Sequence, residues 1–261
     1  MARWDPGQYN KFADHRQRPA FDLMAQIAVD DAGSVVDLGC GTGELTAALA
    51  DRWPRARVLG IDSSPDMLAK ARALTESSVG RRLAFAAGDV ASWQPESALD
   101  VVFSNACLHW VDDHDRLFPR LFGWLAPGGV LAVQMPRMAS EPSHRLMADV
   151  AANGPWRDRL APVLRPEPVA TPAHYCALLR PLASRVDIWE TIYQQELDGD
   201  DPVLSWTKGT ALRPLLQALD GPQQRQEFEA AYAARLRAAY PMGADGKTLF
   251  PFRRLFIVAR R

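Results

Sequence analysis

Short apolar segments alternate with longer amphipathic segments along the first half of the chain. Five of them have the length and composition of buried strands, and they lie at residues 35–38, 57–61, 83–87, 99–104 and 129–135. The stretches between these segments place apolar residues at helical spacing. Strands that alternate with helices in this way predict an α/β fold with a parallel, doubly wound sheet and right-handed crossovers.

The second half of the chain has a different pattern. Eight prolines fall between residues 136 and 181, which favours short helices and loops, and we interpret this stretch as a lid. Residues 185–197 alternate like a strand, an amphipathic helix is predicted at residues 222–240, and residues 254–260 predict a last strand. We therefore expect a single domain, in which residues 1–30 form an N-terminal helical cap, 31–136 the cofactor-binding core, and 137–184 and 200–245 substrate-side insertions.

Composition narrows the classes of partner. The 261 residues include 30 Lys and Arg against 31 Asp and Glu, for a net charge of −1, so no global positive field attracts nucleic acid or an anionic membrane. We see neither an 18-residue apolar run nor the apolar core of a signal peptide. The three cysteines form no CxxC pair, which argues against a disulfide framework and a zinc site. We expect a cytoplasmic protein without a metal that binds a small molecule, and we take a monomer as the working expectation.

The turn after the first strand, "DLGCGTG", contains Gly39, Gly41 and Gly43. A Walker loop would require GxxxxGK, and a dinucleotide site would require GxGxxG, in which Glu44 occupies the place of the third glycine. Asp37 and Glu44 flank the turn and would repel a pyrophosphate. The turn therefore suits a ligand that carries positive charge.

S-adenosylmethionine is such a ligand, because it has an ammonium and a sulfonium but no phosphate. Asp37 is placed to attract the ammonium, and the glycines allow the backbone to approach closely. Asp62 ends the second predicted strand, where an acid can bind a ribose diol, and Asp89 follows the third, where it can accept from the adenine amino group. In the alternative interpretation, these acids are ordinary turn residues at strand ends.

Four segments, "VVDLGCGTG", "GIDSSPDML", "AAGDV" and "LDVVFSNACLHW", together resemble the successive motifs of the class I S-adenosylmethionine-dependent methyltransferases. The resemblance implies a Rossmann-like sheet of seven strands in the order 3-2-1-4-5-7-6, with strand 7 antiparallel. It also implies a cofactor site, for which the expected residues are Asp37, Gly39, Gly41, Gly43, Asp62, Ser63, Met67, Asp89, Val90 and Asn105. Met67 and Val90 are expected to pack against adenine.

Segments outside the cofactor half carry a narrower resemblance. "WDPGQYNKFADHRQRPAFDLMAQI", "LHWVDDHDRLFPRL", "VDIWETIY", "GTALRPLLQAL" and "FRRLFIVA" look like the trans-aconitate 2-methyltransferase family, and the likeness covers nearly the whole chain. It implies an enzyme that methylates a carboxylate of trans-aconitate, giving the monomethyl ester and S-adenosylhomocysteine. Two alternatives stay open: another class I methyltransferase acting on an oxygen, carbon or nitrogen of a different metabolite, and a non-catalytic S-adenosylmethionine-binding protein.

Carboxylate methylation needs no general base, because the nucleophile is ionised at neutral pH. We therefore expect no catalytic acid or base but several arginines that neutralise and align a tricarboxylate. The preferred candidates for binding the substrate are Arg16, Arg213 and Arg254, and Arg137 is the next candidate. For each, a solvated helix face or a helix-end contact is the rival interpretation. Arg253 and Arg254 are adjacent and should face opposite sides of a strand, so at most one contacts substrate.

Aromatic residues complete the predicted substrate site. Tyr9 and Phe12 are three positions apart and could cover the methyl-donor pocket, although core packing is an equal alternative. His109 and Trp110 follow the fourth strand and are expected to be pocket walls or hydrogen-bond donors. The nearby acids at 112, 113 and 115 are better explained as a helix start than as a metal site. The sequence does not indicate which carboxylate is modified or how many acids are accepted.

Overall fold

The computed structural model describes residues 13–74, 82–164 and 167–261. Its strands are β1 (Ser34–Leu38), β2 (Arg57–Asp62), β3 (Leu83–Ala87), β4 (Leu99–Asn105), β5 (Leu125–Pro136), β6 (Arg185–Leu197) and β7 (Thr248–Arg260). Its α-helices are α1 (Ala13–Ala25), α2 (Glu44–Arg52), α3 (Pro65–Ala73), α4 (His114–Gly123), α5 (Pro142–Asn153), α6 (Arg157–Leu160), α7 (Pro172–Leu179), α8 (Pro202–Lys208), α9 (Arg213–Ala218) and α10 (Gly221–Ala239). Short 3-10 helices lie at Leu108–Trp110 and Ala161–Val163. No helix in these ranges combines the length and the hydropathy required to cross a membrane.

All seven strands form one sheet in the order β3-β2-β1-β4-β5-β7-β6. The pairs from β3 to β5 are parallel, and β7 runs antiparallel to β5, with Val130 opposite Arg260 and Pro136 opposite Arg254. This confirms the expected seven-stranded methyltransferase sheet. Because parallel strands end at one edge, the turns that follow β1, β2, β3 and β4 lie along the same edge of the sheet.

The chain divides into two compact units. The first contains residues 16–136, 169–191 and 254–261, and its core consists mainly of aliphatic side chains from the sheet, such as Val36, Val102 and Leu131, each fully buried. Their near-continuous apolar character is what a parallel sheet covered on both faces requires.

The second unit contains the described parts of residues 1–15, 137–168 and 192–253. Large aromatic side chains dominate its core, where Trp206 contacts Phe250 and Phe252, and Trp156 contacts Phe228 edge to face. Because such rings bury a large apolar area each, a few short helices can form this core.

Some element boundaries differ from the sequence predictions. The fifth strand, predicted at residues 129–135, begins at Leu125, shortly after α4 ends at Gly123. The last strand begins at Thr248 rather than at residue 254. The strand at residues 185–197 is confirmed, the long helix spans Gly221–Ala239, and the proline-rich stretch forms short helices as expected. Its role as a lid stays a prediction.

Candidate functional site

The glycine turn joins β1 to α2 in a backbone conformation that other residues rarely adopt. Gly39 has a φ of 77°, and a Cβ built on it would lie 2.3 Å from Cys107 Sγ. Gly41 has a φ of 55°, and within the described part of the chain no atom beyond its own sequence neighbours lies within 4 Å of its virtual Cβ. Burial raises the pKa of the Cys107 thiol to about 12, so this side chain stays protonated and fills space beside the turn. Gly39 is therefore fixed by packing and by backbone geometry, whereas no described residue packs against the position of a Gly41 side chain.

Asp37 lies at the end of β1, one residue before its last position, and only 2% of it is exposed. Thr46 Oγ1 donates a 2.7 Å hydrogen bond to Asp37 Oδ2. The pKa of the Asp37 carboxyl is raised to about 7, chiefly by burial, while the Thr46 hydroxyl acts to lower it and the nearby Asp62 charge adds to the rise. A ligand cation beside this carboxyl would favour its ionised form.

Asp62 is the last residue of β2 and ties the glycine turn to the second strand. Its Oδ2 accepts from the Gly41 backbone N–H at 2.9 Å, and its Oδ1 accepts from Ser64 N–H at 2.8 Å. Each carboxylate oxygen keeps a second lone pair, which can accept from a diol. Beside it, Ser63 is exposed and Met67 is buried on the first turn of α3.

The loop after β3 carries the exposed Asp89 and the buried Val90. Asp89 Oδ1 accepts from the Ala91 N–H at 2.9 Å. Arg120 of α4 donates to the carbonyls of Val90, at 2.6 Å, and Ala91. Sequence reasoning missed Arg120, because nothing in the local pattern of α4 separates it from a solvated arginine.

At the end of β4, Asn105 and the residues after it enter a strained turn. Ala106 has a φ of 52°, which is unusual for a residue with a Cβ. Asn105 Oδ1 is buried and has no hydrogen-bond partner in the described part of the chain. Strain and an unpaired acceptor at one strand end are typical of ligand sites.

The 3-10 helix Leu108–Trp110 presents the half-buried His109 and Trp110, whose rings lie 4.9 Å apart. His114 supports this helix from α4, because its Nε2 lies 2.9 Å from the Leu108 carbonyl and its Nδ1 lies 2.5 Å from the Tyr175 hydroxyl. Since a carbonyl only accepts, His114 Nε2 carries a proton and donates it to the Leu108 carbonyl.

The acids that follow belong to the start of α4, as the sequence predicts. Asp113 is the N-cap, where its side chain accepts from the Arg116 N–H, and Asp115 pairs with His174 at 2.7 Å. A helix start is therefore the role that the structure gives to this acidic cluster.

The adjacent arginines of β7 have different partners, as expected of neighbouring strand residues. Arg253 Nε donates to Glu141 Oε1 at 3.0 Å. Arg254 is 3% exposed, lies opposite Pro136 at the end of β5, and donates from Nη1 to Gln134 Oε1 at 3.0 Å. Arg254 therefore lies in the same unit as the glycine turn, at the carboxyl end of β5.

The other predicted substrate residues are only partly described. Arg137 and Arg213 are half-buried and belong to the second unit, where Arg213 begins α9 and the Arg137 N–H donates to the Arg253 carbonyl. Arg16 lies in α1, but its side chain is outside the description, and Tyr9 and Phe12 lie outside the described residues altogether.

A family model for a methyltransferase domain matches residues 35–129. These residues contain the glycine turn and the predicted cofactor acids Asp37, Asp62 and Asp89. The model therefore covers the cofactor half of the first unit.

Curated relatives match far more of the chain. The trans-aconitate 2-methyltransferase of Azoarcus sp. is 46% identical over 261 residues, which is 100% of both chains. The enzyme of the same name from Streptomyces coelicolor is 51% identical over 263 residues, covering 99% of this chain and 86% of the relative.

Solved structures resemble the chain in fold. The YcgJ protein of Bacillus subtilis has a TM-score of 0.61 at 14% identity, with 94% of this chain and 98% of that chain covered. A methyltransferase from Thiobacillus denitrificans in complex with S-adenosyl-L-homocysteine has a TM-score of 0.55 at 20% identity, with 99% and 100% covered. At these identities the likeness supports the fold alone.

Proposed function

Since the chain belongs to the trans-aconitate 2-methyltransferase family, we propose that it transfers a methyl group from S-adenosylmethionine to a carboxylate of trans-aconitate. The products are the monomethyl ester and S-adenosylhomocysteine. The observation that carries the substrate is the extent of the match. Identity of 46% continues over all 261 residues, well beyond the cofactor half at residues 35–129.

The predicted cofactor residues fit S-adenosylmethionine. Gly41 leaves its backbone accessible, because no described residue packs against it. The buried Asn105 Oδ1 offers an acceptor to a donor such as an ammonium. Asp37 and Asp62 provide carboxylates for the ammonium and the ribose. When bound, S-adenosylmethionine supplies a methyl group on a sulfonium, which needs no activation by the protein.

The chain's own task is therefore to bind the acid, to orient one of its carboxylates and to exclude water. An ionised carboxylate is already a nucleophile, so no side chain has to remove a proton. Holding one carboxylate oxygen in line with the donor is worth about 7–11 kcal/mol in favourable cases. The remaining negative charge of the acid requires arginines, which present two donors to a carboxylate in a fixed fork.

Arg254 is the arginine best supported by the structure, because its buried guanidinium lies at the carboxyl end of β5. Arg16, Arg137 and Arg213 stay predictions, as do the walls formed by Tyr9, Phe12, His109 and Trp110. We place the enzyme in the cytoplasm, which is supported by the free thiols of its three cysteines.

The test is transfer of labelled methyl from S-adenosylmethionine to trans-aconitate, with cis-aconitate, isocitrate and citrate alongside. We expect the highest kcat/KM for trans-aconitate. Arg213→Ala should raise the KM for the acid about 10- to 100-fold, since a charge-assisted contact is worth roughly 1.5–3 kcal/mol. Arg225→Ala, an exposed arginine of α10, is the matched control and should leave the KM unchanged. If the protein binds S-adenosylmethionine but methylates none of these acids, the substrate assignment is overturned and the cofactor assignment is kept.

The proposed lid has a separate test. We expect residues 138–181 to exchange backbone hydrogens more slowly when S-adenosylhomocysteine and trans-aconitate are both bound, because a closed lid excludes water. Exchange that both ligands leave unchanged would contradict the lid.

A further inference from the structure

Gln134 is a fully buried polar residue near the carboxyl end of β5. Its Oε1 accepts from Arg254 Nη1 at 3.0 Å, across 120 residues of sequence. A buried amide costs free energy unless it forms hydrogen bonds. The bond to Arg254 satisfies one end of this amide and fixes the direction of the other.

The other end of the Gln134 amide is a buried donor. This Nε2 makes no hydrogen bond within the described ranges. Gln134 is the register partner of Asn105 on β4, whose Oδ1 is also buried and unpartnered there. Neighbouring strands lie about 4.8 Å apart. The amide donor of Gln134 therefore lies next to the strand end at which we place the cofactor.

The chemical type of residue 134 sets the charge beside the arginine. A carboxylate at this position would place a negative charge next to the Arg254 guanidinium and compete with a bound acid, whereas an amide accepts the same hydrogen bond without adding a charge. Gln134 thus orients Arg254 and adds no negative charge that would repel an anion.

We propose that Gln134 determines the specificity of this site for a carboxylate: its Oε1 orients Arg254, and its Nε2 donates to the same substrate carboxylate that Arg254 binds. This inference rests on the proposed function and assigns a residue that acts on the acid without acting on the methyl donor. Gln134 is a specificity residue and takes no part in proton transfer.

The test is Gln134→Glu, which keeps size and shape and adds one negative charge. We expect the KM for trans-aconitate to rise at least tenfold while the KM for S-adenosylmethionine stays within twofold. We also expect the melting temperature to stay the same or to rise, because the new carboxylate pairs with Arg254. A purely structural role would not lower acid affinity while stability is kept.

A second variant and a control complete the design. Gln134→Met keeps the volume and removes both hydrogen bonds, so the KM for the acid should rise severalfold even if the charged variant folds poorly. Gln195→Glu makes the same change at another buried glutamine, on β6, where 4% of the residue is exposed. Gln195→Glu should leave the ratio of the KM for trans-aconitate to the KM for S-adenosylmethionine unchanged.

Direct binding separates this inference from the proposed function. Calorimetry of trans-aconitate binding to the protein saturated with S-adenosylhomocysteine is measured for wild type and Gln134→Glu. Turnover by wild type with an unchanged acid KM in Gln134→Glu would overturn the role of Gln134 and keep the function. If the wild type binds the acid without turnover and Gln134→Glu does not bind it, the role of Gln134 is kept and the proposed function is overturned. Absence of acid binding in wild type would overturn both.

Discussion

Thr46 Oγ1 donates to Asp37 Oδ2 over 2.7 Å, which ties the first turns of α2 to the end of β1. This single hydrogen bond is the contact that favours the ionised form of an acid whose burial raises its pKa to about 7. At neutral pH the Asp37 carboxyl is thus divided between its charged and uncharged forms. Its charge can therefore respond to the arrival of a cation.

The affinity for S-adenosylmethionine should depend on pH through Asp37. The pKa of Asp37 in the folded protein is raised, so the carboxyl is neutral below about pH 7 and its attraction for an ammonium is lost there. We expect the Kd to rise by up to about tenfold for each pH unit below 7. Calorimetric titrations between pH 5.5 and 8 measure this.

Two variants check the assignment to Asp37. Asp37→Asn should bind the cofactor more weakly at pH 8 and show a flat pH profile. Asp51→Asn, at an exposed position of α2, should keep the wild-type profile. A pH dependence that persists in Asp37→Asn would assign the titration to another group.

Gly39→Ala should destabilise the protein more than Gly41→Ala. Both positions have positive φ, for which a side chain costs about 1–2 kcal/mol. Only at Gly39 would the new methyl group lie 2.3 Å from Cys107 Sγ, and overpacking of this kind costs about 1–3 kcal/mol more. Urea unfolding without cofactor measures the difference. Equal destabilisation by the two changes would show that the Cys107 contact relaxes.

Arg120→Met should weaken cofactor binding without affecting the acid. The change removes the hydrogen bonds from Arg120 to the Val90 and Ala91 carbonyls, which hold the loop predicted to contact adenine. Each such bond is worth about 0.5–1.5 kcal/mol, so we expect the Kd for S-adenosylmethionine to rise about 3- to 10-fold. Arg116→Met, one turn earlier and with a 91% exposed side chain, is the control. A raised KM for trans-aconitate alone would contradict this role.

His144 should make the free energy of unfolding fall as the pH is lowered from about 6.5 to 4. Burial lowers the pKa of His144 to about 4, from 6.5 in the unfolded chain, so the unfolded state binds the proton first. The loss levels off below pH 4 and amounts to about 3 kcal/mol at most. Denaturant titrations at several pH values measure it. His144→Gln should reduce the slope.

The sheet, and the edge at which we place the cofactor, could be predicted because their signals are local. Alternation of strands and helices, the spacing of Gly39, Gly41 and Gly43, and acids at strand ends are all visible in short windows of sequence. The start of β5 was placed too late for the same reason. Leu125 pairs with Leu99, and the register then shifts to Val130 opposite Val101, so residues 126–129 lie in an irregular part of the strand whose sequence is typical of a turn.

The supporting residues of the site could not be predicted from local patterns. Gln134 and Arg254 are 120 residues apart, and Arg120 and Val90 are 30 residues apart. A glutamine in an apolar strand and an arginine on an amphipathic helix have no distinctive spacing. Their roles follow only from strand order and register, which bring distant segments together.

The strand order also has a consequence for how the molecule is made. Because β7 lies between β5 and β6 in the sheet, β6 has no neighbour in the sheet until β7 has paired with β5. A nascent chain leaves the ribosome with β6 long before β7, which begins at Thr248. The pairing of β7 with β5 and β6, which completes this side of the sheet, is therefore a late event between segments distant in sequence. Since β7 also carries Arg254, the edge at which we place the cofactor can form during synthesis before the arginine that we propose for the acid is in place.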